Sequence, residues 1–136
     1  MVEKQLSIFL ENKPGVLAKV CKTLGAQGIN IRGLSVSDTV DHAVVRLIVD
    51  DPQKAIHVLG DHGALVVETD VLAVQMANQP GELAKMAARL ARAKVNIEYA
   101  YGSSNSGPGT IFFRVSDVRR ALRALSATKA AARNKR

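Results

Sequence analysis

The hydrophobic residues of this chain recur with two different periods, one typical of strands and one typical of helices. Between Gln5 and Leu10 they occupy every second position, so Leu6, Ile8 and Leu10 share one side of an extended chain. From Val16 to Leu24 they recur every three or four positions, as on one face of a helix. The alternation of the two patterns predicts a protein of mixed strands and helices.

Turn-forming residues divide the first half of the chain into six elements. Pro14 is expected in the first helical turn, where its missing N–H is not needed. Asp51 is expected to cap the second helix, with Pro52 at its first position. The predicted elements are a strand at Gln5–Leu10, a helix opened by Asn12–Gly15 and closed by Gly25 and Gly28, strands at Ile29–Val36 and His42–Val49 around the polar turn Ser37–Thr39, a helix with Ala55, Ile56 and Leu59 on its inner face, and a strand at Leu65–Val67.

The second half of the chain repeats the first at a constant offset of 66 positions, which marks a duplicated unit. The identical pairs include Asn12/Asn78, Pro14/Pro80, Gly15/Gly81, Leu17/Leu83, Asn30/Asn96, Ile31/Ile97 and Asp51/Asp117. The elements predicted for the second copy are Val71–Ala77, Gly81–Ala93, Val95–Tyr101, Thr110–Val115 and Val118–Leu125. No β-branched run follows Thr128, so no clear fourth strand is expected there.

The element order of strand, helix, strand, strand, helix, strand predicts the fold. We expect an α+β protein of two ferredoxin-like βαββαβ units, with antiparallel sheets, helices on one face and no clear fourth strand in the second unit. The expected domains are residues 1–69 and 70–125, followed by a basic C-terminal tail, 126–136, that is helical or loose. Only Glu68-Thr69-Asp70 is left as a connection between the two units.

Length and composition are those of an ordinary globular protein, because 47% of the 136 residues are hydrophobic and 23% are charged. No apolar run approaches the roughly 20 residues that cross a bilayer. Met1–Leu10 lacks the charged and then apolar order of a signal peptide. We therefore expect a cytoplasmic protein that does not act at a membrane.

The net charge of +7 is concentrated at the C-terminus. Seven basic and no acidic residues follow position 118, whereas residues 1–118 contain 12 of each sign. Such a segment is typically a solvated helix end or a solubilising tail, with contact to nucleic acid or anionic lipid as the alternative. RNA-binding domains with this element order carry stacking aromatics on central strands, which Val44–Val49 lacks. Nucleic acid is therefore not the expected partner.

The sequence offers no constellation of catalytic or metal-binding residues. His42, His57 and His62 are dispersed, and the spacing of the last two does not suit a shared metal ligand face. Cys21 lies on the apolar face of a predicted helix, where a buried thiol is expected. The stretch Gly102–Gly109 lacks the strand-to-helix context of a dinucleotide loop, and we interpret it as a hairpin loop, with a ligand-covering flap as the alternative. We expect neither catalysis nor a metal nor a cofactor.

A turn with glycine recurs before the first helix of each unit. At such a place unpaired backbone N–H groups and the positive end of the helix dipole favour a carboxylate. Gly15 and Gly81 carry no Cβ, so a ligand can approach the backbone closely. In both units an asparagine follows 18 residues after the asparagine of the turn, at Asn30 and Asn96. A plain turn and helix start is the alternative interpretation, and Asn30 and Asn96 can instead serve only to satisfy backbone groups.

The pattern Asn12-x-Pro14-Gly15-Val16-Leu17 followed by Gly28-Ile29-Asn30-Ile31 resembles the signature of ACT domains, regulatory modules of many amino-acid-metabolic enzymes. The resemblance covers about Lys4 to Leu125 and is to stand-alone tandem ACT proteins. It implies that a turn asparagine and a strand-start asparagine, one from each of two apposed domains, hold the ligand. Those roles fall on Asn12 and Asn30, and on Asn78 and Asn96. Serine-sensing members carry a histidine two residues before the first asparagine, where this chain has Leu10 and Met76.

These observations predict a regulatory protein that senses a free amino acid where ACT domains meet and modulates a partner enzyme of amino acid metabolism. A homodimer is expected because it covers exposed sheet edges. The alternatives are a nucleic-acid-binding module that uses the basic tail and a small acid-anhydride hydrolase. The expected ligand-binding residues are Asn12, Gly15, Val16, Leu17, Asn30, Ile31, Asn78, Gly81, Glu82, Leu83, Asn96 and Ile97.

The second unit departs from the first at three positions near these residues. Val16 is replaced by Glu82, Gly28 by Lys94 and Arg32 by Glu98, so charge is added near one of the two sites. One site is therefore expected to have lost its ligand and become structural. Tyr99 and Tyr101 alternate along a strand and are interpreted as aromatics that cover the sheet.

Overall fold

The computed structural model describes residues 1–39, 41–103 and 107–134. Its strands and helices alternate in the predicted order, which confirms the α+β fold. The elements are β1 (Val2–Glu11), α1 (Val16–Ala26), β2 (Ile31–Asp38), β3 (His42–Val49), α2 (Pro52–Asp61), β4 (Leu65–Met76), α3 (Glu82–Arg92), β5 (Ile97–Ser103), β6 (Gly109–Val115) and α4 (Val118–Asn134).

The chain forms two compact units. The first unit is Lys4–Thr69, and the second is Asp70–Arg136 together with Met1–Glu3. None of the helices in the described part of the chain has the length and apolar content required to cross a bilayer.

The first unit has the strand order β2-β3-β1-β4, and β3 runs antiparallel to both β1 and β2. Leu6 and Ile8 of β1 lie opposite Leu47 and Val45 of β3, so their side chains share one sheet face. Both α1 and α2 cover that face. The core between them consists of Leu6, Ile8, Val20, Leu24, Ile29, Val45, Leu47, Val49, Ala55 and Leu59.

The two helices of the first unit begin in different ways. Asp51 caps α2 as predicted, since its side chain accepts a hydrogen bond from the Lys54 N–H at 3.1 Å and Pro52 follows it. The expectation that Pro14 lies in the first turn of α1 was wrong. The N-cap is Gly15 in a left-handed conformation, with φ of 87°, so Pro14 precedes the helix and Val16 begins it.

The second unit repeats this architecture with β4, β6 and β5 side by side. Leu72 of β4 lies opposite Phe113 of β6, and both side chains face α3 and α4. Gly102 and Ser103 belong to β5, so the hairpin loop begins later than expected, and its residues 104–106 lie outside the described part of the chain. The buried core of the second unit consists of Leu72, Met86, Leu90, Val95, Phe113, Val115 and Ala121.

The second unit has no fourth strand after β6 within the described residues, as predicted, because α4 continues from Val118 to Asn134. The start of β1 occupies the free edge of β4 instead. The Ala73 N–H donates to the Met1 carbonyl at 2.8 Å, and the Met1 amino group lies 3.5 Å from the Ala73 carbonyl. Glu68, expected in a connection, lies within β4.

Lys94 has a backbone conformation that is strained for a lysine. It follows the end of α3 with φ of 60°, where the first unit has Gly28 with φ of 71°. A residue with a side chain costs roughly 1–2 kcal/mol in this region. Glycine avoids this cost, but part of the gain is offset because glycine loses more backbone entropy on folding. We expect Lys94→Gly to raise the free energy of unfolding by about 0.5–1 kcal/mol in chemical denaturation. Lys22→Gly inside α1 is the control and should lower it by about 1 kcal/mol. If both variants lost the same free energy of unfolding, the backbone of Lys94 would not be strained.

Candidate ligand-binding sites

The turns that precede α1 and α3 have the same geometry. Gly15 has φ of 87° and ψ of −13°, and Gly81 has φ of 89° and ψ of −10°. The backbone hydrogen bonds also match. In the first turn the Lys13 N–H donates to the Glu11 carbonyl at 3.0 Å, as the Gln79 N–H does to the Ala77 carbonyl in the second. The repeated sequence therefore builds one local structure twice.

Neither helix has a side-chain cap in the described part of the chain. Asn12 and Asn78, which stand three residues before the glycines, are exposed and do not cap the first-turn amides. A Cβ atom built on Gly15 or Gly81 would meet nothing within 4 Å, so the space beside each glycine is open. Each turn therefore presents helix N-terminal amides next to an accessible backbone, which suits a carboxylate.

Charged side chains differ between the two turns. In the first, Lys13 Nζ lies 2.9 Å from Glu11 Oε2. This hydrogen bond, together with the attraction of the opposite charges, lowers the pKa of Glu11 and raises the pKa of Lys13. In the second, Glu82 stands in the first turn of α3 and lies 3.3 Å from Lys85 Nζ. The second turn therefore holds a carboxylate where the first has Val16.

A cleft of about 210 Å³ opens beside the second turn. Three predicted site residues line it: Asn78, Glu82 and Leu83. Its volume is below the usual range of roughly 300–1,000 Å³ for pockets that take drug-sized ligands, and it suits a small metabolite. The lining residues that the sequence did not indicate are Met76, Ala77, Gln79, Gly109 and Ile111.

Asn30 and Asn96 lie in equivalent places at the start of the second strand of each unit. The Asn30 N–H donates to Asp50 Oδ1 at 3.1 Å, and its carbonyl accepts from the Asp50 N–H at 3.2 Å. The Asn96 N–H donates to Ser116 Oγ at 2.9 Å, and its carbonyl accepts from the Ser116 N–H at 2.9 Å. Each asparagine thus joins the start of one strand to the residue that follows the next strand, and both asparagines are exposed.

The two predicted asparagines of a unit lie at opposite ends of a helix. Asn12 precedes α1 and Asn30 follows it, and the 11 residues of α1 span about 16 Å. Asn78 and Asn96 are separated in the same way by α3, which also has 11 residues. Within one unit the two side chains therefore cannot hold the same small ligand.

Several predicted site residues contribute to the cores. Leu17 and Ile31 are half-buried and pack against the core of the first unit, and Ile97 packs against that of the second. Leu83, by contrast, is 55% exposed and lines the cleft. The duplicated leucines Leu17 and Leu83 therefore differ in environment.

The aromatic residues of β5 lie on the sheet face opposite the helices. Tyr101 is opposite Phe112 in the register, and their ring centroids are 5.4 Å apart. Tyr99 is opposite Arg114 on the same face. These contacts support the interpretation of the tyrosines as aromatics that cover the sheet.

The sequence profile of the ACT domain pair family matches residues 1–131, and this chain belongs to that family. Among solved structures, protein BT0572 from Bacteroides thetaiotaomicron is 39% identical and superposes with a TM-score of 0.91, over 95% of this chain and 90% of that one. A search of curated proteins found no match.

More distant structures share the fold. The ligand-free regulatory subunit of aspartate kinase from Thermus thermophilus is 21% identical, with a TM-score of 0.71 over 93% of this chain and 96% of that one. The regulatory subunit of aspartate kinase from Thermus flavus is 20% identical, with a TM-score of 0.65 over 93% of this chain and 94% of that one. The resemblance to ACT domains inferred from the Asn-x-Pro-Gly turn is thus confirmed.

Proposed function

We propose that this protein is a non-catalytic, cytoplasmic regulatory protein that binds a free amino acid and modulates a partner enzyme of amino acid metabolism. The observation that carries the proposal is the pair of uncapped helices, each beginning at a left-handed glycine with open space beside it. The family match supports a regulatory role. The names of the two Thermus proteins, which are regulatory subunits of aspartate kinase, support a partner of that metabolic class.

The ligand's carboxylate is proposed to accept hydrogen bonds from the amides that follow Gly15 or Gly81. The helix dipole adds to this interaction, and no Cβ blocks the approach. The ammonium group is proposed to meet the side-chain oxygens of the turn asparagine, Asn12 or Asn78, and of an apposed strand-start asparagine. Each of these groups is an ordinary partner for one end of a zwitterion.

Asn30 and Asn96 are proposed to act on a ligand held by another domain. The length of α1 and α3 separates each from the turn asparagine of its own unit, so an apposed domain must supply the second asparagine. We propose that a homodimer brings such domains together. Because the ligand then contacts both sides, it stabilises the docked arrangement and shifts the population toward it, which is sufficient for regulation.

The two sites are proposed to differ in affinity. Glu82 places a negative charge at the N-terminus of α3, where it competes with a ligand carboxylate for the same amides. The first unit has Val16 there, so its amides face no such competitor. We therefore propose that the first unit binds the amino acid more tightly.

A thermal-shift screen of the twenty amino acids tests the proposal. At least one is expected to raise the melting temperature, because a ligand at a hundredfold excess over its Kd stabilises the folded state by about 2.7 kcal/mol. Asn12→Ala is expected to remove most of this shift, and Asn78→Ala a smaller part. Calorimetric titration of the best amino acid then gives the affinities.

Gln53→Ala is the matched control, since Gln53 is an exposed side-chain amide on α2, a helix that follows neither turn. Its response to the amino acid should equal that of the unchanged protein. A flat screen across all twenty amino acids would reject amino acid sensing and leave a role in protein binding.

A further inference from the structure

The excess positive charge of this protein belongs to one of its two units. Residues 4–69 contain seven basic and seven acidic residues, whereas residues 70–136 contain twelve basic and four acidic ones. The excess is not confined to residues 126–136, because Arg119, Arg120 and Arg123 precede them. A charge asymmetry of this kind between duplicated units suggests that the second unit contacts a negatively charged partner.

Six of these cations gather where the end of α3 meets the start of α4. Two hydrogen bonds of 2.9 Å join the segment after α3 to the segment before α4: the Ser116 N–H donates to the Asn96 carbonyl, and the Asn96 N–H donates to Ser116 Oγ. All six side chains are exposed except that of Arg89, which is half-buried. We call this group the basic cluster; it consists of Arg89, Arg92, Lys94, Arg119, Arg120 and Arg123.

The first unit provides an internal comparison for the basic cluster. At the offset of 66 positions, the six cations correspond to residues of the first unit that include only one cation, Lys54. That lysine donates to the Gln27 carbonyl at 2.7 Å and so has a local structural partner. The fold therefore does not require the other five charges. The corresponding residues are Thr23, Ala26, Gly28, Gln53, Lys54 and His57.

Some of these cations are held against local preferences. Lys94 has a left-handed backbone where the first unit has a glycine. Arg119 and Arg120 stand in the first turn of α4, where the positive end of the helix dipole disfavours a cation. Residues that break local rules in this way are most readily explained by a role in function.

The chemistry of the basic cluster points to phosphate groups. Five of its six members are arginines, whose planar guanidinium groups bind phosphate in a bidentate manner. The ion pair of Arg120 with Asp117, at 3.9 Å, is its one short contact with a carboxylate among the described residues. The exposed positions of α3 next to these arginines are alanines, Ala88 and Ala91.

The surroundings of the basic cluster argue against an apolar protein interface and against single-stranded nucleic acid. Protein interfaces usually have an apolar core, and single-stranded nucleic acids stack on aromatic side chains. Neither feature accompanies the cluster, since the large exposed hydrophobics of the described residues are Met1, Leu83 and residues of the strands. We propose that the basic cluster binds the phosphate backbone of duplex nucleic acid, without reading its sequence. The helix N-terminal amides that follow Gly15 and Gly81 take no part in this binding.

Fluorescence anisotropy with a labelled DNA duplex tests this binding, using the full-length protein and two double variants that restore residues of the first unit. One is Arg92→Ala with Lys94→Gly, and the other is Arg119→Gln with Arg123→His. Each is expected to weaken binding about tenfold and to flatten the dependence of log affinity on log salt by about 1.8, since each lost phosphate contact contributes roughly 0.9.

The charge-matched control is Lys19→Ala with Lys22→Ala, which removes two exposed cations from α1 and should change the affinity by less than about twofold. Circular dichroism shows whether each variant is folded.

A duplex of RNA in place of DNA should bind with similar affinity. The inference is overturned if the duplex does not bind at about 50 mM salt, or if poly-glutamate or anionic vesicles bind as tightly. Equal weakening in the control, or loss only on deletion of residues 126–136, also overturns it.

Discussion

Replacing Phe113 with alanine is expected to lower the free energy of unfolding by about 3–5 kcal/mol, as is usual for a phenylalanine removed from a packed core. Phe113 lies on the central strand β6 and is only 1% exposed. It is opposite Leu72 and Ala100 in the sheet and belongs to the core beneath α3 and α4. Its counterpart in the first unit is Leu47, which is completely buried.

Phe9→Ala is the matched control for this substitution. Phe9 also lies on a strand, β1, but it is 41% exposed and does not belong to a buried core. The same change there should cost about 1 kcal/mol or less. Chemical denaturation followed by circular dichroism gives both values. Similar losses for Phe9→Ala and Phe113→Ala would show that the core of the second unit is not packed around β6.

The repeat in the sequence predicted the most important local structure, because the two turns depend on neighbouring residues alone. Asn-x-Pro-Gly recurs at the fixed offset, and both copies fold to the same backbone geometry. The error lay in the position of the helix start. Glycine with positive φ serves as the N-cap itself, so Pro14 and Pro80 belong to the turn and not to the helix.

The pairing of strands that are distant in sequence could not be predicted from hydrophobic periodicity. Gly109 and Ile111 line the cleft beside the second turn because β6 pairs with β4, and no local pattern indicates that pairing. The placement of Met1 beside Ala73 is a contact of the same kind, across 72 positions. The full set of residues that line the cleft could therefore be identified only from the structure, whereas Asn78 and Glu82 could be predicted from the sequence.

The polar residues within β4 made the predicted strand shorter than the observed one. Glu68 and Asp70 suggested a connection, yet β4 continues from Leu65 to Met76. The structure provides a side-chain partner for Glu68 and a main-chain partner for Asp70. Lys4 Nζ lies 3.8 Å from Glu68 Oε1, and an Arg114 guanidinium N–H donates to the Asp70 carbonyl at 3.1 Å. Such partners come from residues far away in sequence, so local reasoning interprets the segment as a loop.

Gly102 is another residue whose role depends on a distant contact. The sequence placed it in a glycine-rich loop, but it lies in β5 opposite Ile111 of β6. A Cβ atom at this position would overlap the Thr110 carbonyl oxygen and would lie 2.9 Å from Ile111 Cα. Both of these atoms belong to the backbone, so a change of side-chain rotamer cannot relieve the contact. The strand pair must shift to accommodate even one methyl group.

Gly102→Ala is therefore expected to lower the free energy of unfolding by about 2–3 kcal/mol, within the usual range for an overpacked site. Gly25→Ala is the control of opposite sign. Gly25 lies within α1, and a Cβ atom there would meet nothing within 4 Å, so alanine should stabilise the protein by about 0.5–1 kcal/mol. Chemical denaturation of the two variants beside the unchanged protein measures both effects. If Gly102→Ala proved as stable as Gly25→Ala, then β5 could not approach β6 as closely as the structure indicates, and the hairpin register of the second unit would have to be redrawn.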